Sequence, residues 1–211
     1  MKNKTNCYLK EFAERNPRAA YLLPKIEECV SLLTSLKSEN KVFLCGNGGS
    51  AADCEHFAGE MLKSFKLPRG LDDETARALA DYPDGEKIMK NVCGGVKTIP
   101  LTSFTAFTTA FINDCSADYV YAQALNVLAV GGDVLIAIST SGNSANVLYA
   151  AELAKAKGLK VVALTGRDGG KLKNYADILL NVPEDEVWKI QEMHLPVYHA
   201  ICLCAEEELF G

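Results

Sequence analysis

The chain has 211 residues, 48% of them hydrophobic and 23% charged, with a formal net charge of −5. Those values suit one globular domain with a full core. They exclude a nucleic-acid surface built on bulk positive charge, though not a local basic pocket. Met1 to Lys10 is polar with no apolar segment behind it, so no secretory signal is predicted. No apolar run reaches about 18 residues, so no membrane span is predicted. The expectation is a cytoplasmic chain. The eight cysteines form no Cys-x-x-Cys pair, so most are expected to be small buried hydrophobes rather than metal ligands or disulfides.

A short helix is expected to end near Asn16-Pro17. An amphipathic helix follows over 18–38, with Leu22, Ile26, Val30, Leu33 and Leu36 at helical spacing. Lys41 to Cys45 reads as a buried strand entering a tight turn, and Ser50 to Phe65 as a helix. The segment 66–97 reads as an insertion, with a helix over Asp73–Leu79 capped by Asp72 and a turn at Tyr82-Pro83-Asp84-Gly85. Thr98 to Thr102 is a predicted strand, Thr105 to Phe111 a short helix and Ala117 to Val130 a longer one. Asp133 to Ile138 is a buried strand. Ser144 to Lys157 is a helix with Gly158 after it, and Lys160–Leu164 and Asp177–Val182 are strands. Glu186 to Leu209 is a long terminal helix that tolerates Pro196, with a kink expected there. Strands alternating with helices predict a three-layer α/β/α sandwich around a five-stranded parallel sheet.

Two Gly/Ser/Asn loops fall at the carboxyl ends of strands, where such folds bind ligands. They are Gly46-Asn47-Gly48-Gly49-Ser50 and Ser139-Thr140-Ser141-Gly142-Asn143-Ser144. Each opens a helix, whose free N–H groups and dipole favour an anion. The second loop carries more hydroxyls than capping needs, a composition suited to the phosphate of a sugar. Neither loop is a Walker A sequence, and Ala51 departs from Gly-x-Gly-x-x-Gly.

The chain has three histidines, at 56, 194 and 199. His56 and Glu60 share a helix face. Gln191 and His199 lie about 80° apart around the terminal helix at ~100° per residue, so they can converge on one ligand. A His and a carboxylate serve as acid and base near neutral pH. Two His, a Glu and a Gln equally suit Zn²⁺. His194 is off that face and reads as a packing residue.

The stretches Cys45–Ser50, His56–Glu60, Asn113-Asp114, Ser139–Val147, Leu164–Gly170 and Ile190–His194 together resemble the sugar isomerase (SIS) domain family, and within it the phosphoheptose isomerases, from about residue 18 to 208. The resemblance implies a flavodoxin-like SIS fold, N-terminal helices used in oligomerisation, and a homotetramer with active sites between subunits. It implies an aldose–ketose isomerase converting sedoheptulose 7-phosphate to a manno-heptose 7-phosphate for surface-polysaccharide synthesis. Asn47, Gly48, Gly49, Ser50, Asn113, Asp114 and Gln191 would contact the sugar, and Ser139, Thr140, Ser141 and Ser144 its phosphate. Glu60 would be the base and His199 the acid. His56, Glu60, Gln191 and His199 would hold Zn²⁺ in members that bind it. The alternative is a non-catalytic phosphosugar-binding or replication-initiator-binding member. Those relatives lack a His at the position of His199. Segment 66–97 is longer than the resemblance predicts, and Gly59 stands where many members carry a larger residue.

Overall fold

The computed structural model describes residues 1–211. Its strands are β1 Val42–Cys45, β2 Thr98–Pro100, β3 Val134–Ile138, β4 Lys160–Thr165 and β5 Ile178–Asn181. Its helices are α1 Asn3–Arg15, α2 Leu23–Thr34, α3 Gly49–Leu62, α4 Asp73–Leu79, α5 Gly85–Asn91, α6 Thr105–Asp114, α7 Val120–Leu128, α8 Ala145–Ala156 and α9 Val187–Phe210. The strands form one parallel five-stranded sheet in the order β2-β1-β3-β4-β5. β1 and β3 are buried at every position, as strands covered on both faces must be.

Alternate residues of the strands feed two cores. Val42, Leu44, Val134, Ile136 and Ile138 pack with α1, α2, α3 and α9. Phe43, Cys45, Leu135 and Ala137 pack with α7 and α8 on the other face. Five of the eight cysteines, at 29, 45, 54, 202 and 204, are buried and all eight are free thiols. No helix is long and apolar enough to cross a membrane.

The single helix expected over 18–38 is divided. Pro17–Leu22 is a 3₁₀ turn and α2 starts at Leu23. Pro24 has no N–H to give the preceding turn, so it begins a helix more readily than it continues one. β2 likewise stops at Pro100, where the chain enters a 3₁₀ turn over Leu101–Ser103. α9 runs through Pro196 without interruption. In segment 66–97, α4 spans the predicted residues and the Asp72 carboxylate accepts from the Thr75 amide at 2.8 Å. α5 is a second helix there that the turn signal at 82–85 conceals.

The root of that segment is tied to α9 by one buried ion pair. Glu206 accepts from the amides of Phe65 and Lys66 at 2.8 Å and Leu67 at 3.1 Å, and from Arg69 Nε at 2.8 Å. Both side chains are 1% exposed. Burial acts to raise the Glu206 pKa, but these donors together hold it below the usual carboxylate range. Arg69 also donates to the carbonyls of Met61 and Glu60 at the end of α3. Removing one partner strands a buried charge, so Glu206→Gln is expected to cost about 3 kcal/mol, read from urea unfolding.

Candidate functional site

β1 has β2 on one side and β3 on the other. The chain order reverses between β1 and β3, and a crevice opens at the carboxyl ends of such a pair. Both predicted loops lie there. Gly48, the residue before α3, has φ +55°, a conformation that only glycine adopts without strain.

The second loop is fixed from behind. Gly142 has φ +64°, and a Cβ on it would collide with the carbonyl of Gly169. Loop 166–170 holds loop 139–144 by its backbone: Gly166 N donates to Thr140 O at 2.9 Å and Leu172 N to Gly142 O at 2.9 Å. Lys171 N donates to Asn143 Oδ1 at 3.1 Å. Ser139 is buried and Ser141 exposed. The Ser139 and Ser144 hydroxyls stand 3.2 Å apart, and Ser144 precedes α8 without capping it through its side chain. The Ser139 and Ser144 hydroxyls thus lie together just before the N-terminus of α8, the end of a helix that favours an anion.

The two loops are joined by a reciprocal amide pair. Asn47 Nδ2 donates to Asn146 Oδ1 and Asn146 Nδ2 to Asn47 Oδ1, both at 2.9 Å. Tyr121 donates to the Gly46 carbonyl at 2.6 Å from beneath. Neither Asn146 nor Tyr121 was singled out by sequence. Asn146 lies within the Ser139–Val147 motif, so that motif was the available signal; Tyr121 had none.

Further along α3 lies a second cluster. His56 Nε2 is 3.3 Å from Glu60 Oε1 and 3.4 Å from His199 Nε2. Lys63 Nζ donates to Glu60 Oε2 at 2.9 Å. The Glu60 side chain is 12% exposed. Burial, and then the neighbouring His56, lower the His199 pKa, while Glu60 acts the other way. Tyr198 donates or accepts at His56 Nδ1, 3.0 Å away.

Other predicted residues stand apart from this cluster. The Gln191 amide packs against Gly49, two turns back toward the start of α3. Asn113 and Asp114 sit at the exposed end of α6, with Asn113 Nδ2 donating to Asp114 Oδ1 at 2.9 Å. From Gly49 to Glu60 the helix rises about 16 Å at ~1.5 Å per residue, so loops and cluster occupy opposite ends of α3.

The donors are of the kind zinc takes, and spacings of 3.3 and 3.4 Å match the edge of a tetrahedron with ~2.0–2.1 Å bonds. No group of three or more His, Cys, Asp or Glu is arranged to hold a metal ion. His56, Glu60 and His199 fit the ion only in donor chemistry and in the two spacings from His56, while Gln191 packs on Gly49.

His194 is fully buried, with Nε2 3.2 Å from the Thr165 carbonyl and Nδ1 unpartnered, in keeping with a packing role. Burial pushes its pKa from 6.5 down to about 4. The unfolded ring takes up a proton through an interval where the folded ring does not. Stability is therefore complete above pH ~6.5 and falls by about 3 kcal/mol on acidification toward ~4. Urea unfolding against pH is expected to show that loss, and His194→Asn to flatten it.

The class this architecture defines is the SIS domain, whose family model matches residues 86–166. The chain is 41% identical over 175 residues to the phosphoheptose isomerase of Helicobacter pylori strain Shi470, covering 83% of this chain and 79% of that one. The structure of phosphoheptose isomerase from Neisseria gonorrhoeae matches with a TM-score of 0.74 and 33% identity over 97% of both chains. A phosphoheptose isomerase from Francisella tularensis matches at 0.75 and 30%, over 98% of this chain and 100% of its own. The chain belongs to the phosphoheptose isomerase family.

Proposed function

We propose that this protein is an aldose–ketose isomerase that converts sedoheptulose 7-phosphate to D-glycero-D-manno-heptose 7-phosphate, for heptose and surface-polysaccharide synthesis in the cytoplasm. The observation that carries the reading is the approach of Glu60 at 3.3 Å and His199 at 3.4 Å to His56 Nε2 across two helices, in a chain of this family.

The proton to be moved lies between C1 and C2 of the sugar. Glu60, paired with Lys63, takes it from one carbon and returns it to the other. His199 exchanges a proton with the neighbouring oxygen; its lowered pKa makes that proton easy to release. Ser139, Thr140, Ser141 and Ser144 hold the phosphate against α8 and so fix which carbon meets the base. Asn47, Gly48, Gly49 and Ser50 hold the sugar, with Asn113, Asp114 and Gln191 completing the pocket. Zn²⁺, when held by His56, Glu60 and His199 with Gln191 as the fourth residue the family resemblance adds, would polarise a substrate oxygen as a Lewis acid.

The gap of three helical turns between Gly49 and Glu60 supports a site shared between copies of the chain. One copy supplies the phosphate cradle and its neighbour the base, in a homotetramer. Exposed Phe104, Ile112, Val127 and Val130 near α6 and α7 supply apolar surface for such contacts. The N-terminal helices and the 66–97 segment add to the assembly.

Purified protein incubated with sedoheptulose 7-phosphate is expected to form the aldose, followed by NMR. Binding without turnover, with or without added Zn²⁺, defeats the isomerase reading in favour of a phosphosugar-binding protein. Glu60→Gln is expected to lower kcat roughly 10²–10⁴-fold while KM changes little; turnover that survives removes Glu60 as the base.

A further inference from the structure

His56 is held from behind by two residues that no motif singles out. The Tyr198 hydroxyl lies 3.0 Å from His56 Nδ1 and 3.3 Å from Asp53 Oδ1. Tyr198 is fully buried, and its ring meets the imidazole edge-on with centroids 5.5 Å apart. The other Asp53 oxygen, Oδ2, is buried with no partner.

A carboxylate only accepts, and a hydroxyl has one proton to give. The Tyr198 proton therefore goes to Asp53. The tyrosine oxygen is left to accept, and the group in reach is N–H at His56 Nδ1. A neutral ring protonated there has a bare lone pair at Nε2. That is the atom facing Glu60 and His199 at 3.3 and 3.4 Å. Without Tyr198, the ring gains more by placing its proton on Nε2 and donating to Glu60, which closes the atom to any other use.

We propose that Tyr198, oriented by Asp53, is a positioning residue that keeps His56 in its Nδ1-protonated tautomer and presents Nε2 to the cluster as a ligand or proton acceptor. The proposal rests on reading His56, Glu60 and His199 as the reacting group. It extends that reading with the outer hydrogen bond that a ligating or acid–base histidine requires.

With three histidines in the chain, long-range ¹H–¹⁵N spectra of histidine-labelled, metal-free protein resolve each ring. In alkaline buffer, with the rings neutral, His56 is expected to carry its proton on Nδ1, and Tyr198→Phe to move it to Nε2. A wild-type ring protonated at Nε2, or one unmoved in the variant, overturns the proposal. Titration of Zn²⁺ against a chromogenic chelator gives a second readout. Tyr198→Phe is expected to weaken uptake roughly 10–100-fold; equal affinity overturns the proposal. A wild-type protein that takes up no Zn²⁺ defeats the metal reading of the cluster, and the tautomer spectra still decide the part played by Tyr198. Asp53→Ala removes the acceptor, frees the Tyr198 proton for His56 Nδ1, and carries both measurements, with the same expected directions, where Tyr198→Phe fails to fold.

Discussion

Val42 to Cys45 pairs in parallel register with Val134 to Ala137, and the candidate site depends on that pairing. Parallel neighbours end at the same edge of the sheet. Their following loops start level, and the helices that follow both begin there. The N-termini of α3 and α8 therefore open onto one crevice, and Asn47 can meet Asn146 across it. A slip of one residue would send Val42 and Leu44 to the face now filled by Phe43 and Cys45, exchanging the two cores. The register is thus specified by the burial of both faces, and the site inherits its precision.

The second determinant is the packing of α3 on α9. Gly49 lies against Gln191, and two turns further along both helices His56 lies against Tyr198 and His199. The helices run in the same direction, so one contact line carries Gly49 and Gln191 at one end and His56, Tyr198 and His199 at the other. Phe57, Met61, Val197 and Ile201 belong to the core that these helices share. Below them, Arg69 and Glu206 tie the ends of α3 and α9 to the 66–97 segment. His56, Glu60 and His199 sit on a packed pair of helices, which limits the motion available to them.

Much of this was legible in the sequence. Each strand is a short apolar run, and parallel order follows from strands alternating with helices. Asp72 marked α4 correctly because an N-cap is a local contact. Several of the boundaries that differed lie where a local rule competes with another. Pro24 and Pro100 end or begin elements because they lack a donor. Pro196 does neither, because burial of α9 residues around it outweighs one missing bond. Helix α5 was hidden because Gly85 is both the last residue of a turn signal and the first residue of a helix.

By itself the sequence determined the alternation of elements, the two Gly/Ser/Asn loops, and the pairing of His56 with Glu60 one turn apart, since these depend on neighbours along the chain. Only the tertiary structure decided that His199 joins them, that Gln191 turns to Gly49 instead, that Asn47 and Asn146 lock the loops together, and that Asp53 and Tyr198 stand behind His56. Those contacts join residues distant in sequence, and helical periodicity says which face of a helix is apolar without saying which helix covers it or at what offset. The offset is set by how the side chains of α3 and α9 fit together in the core.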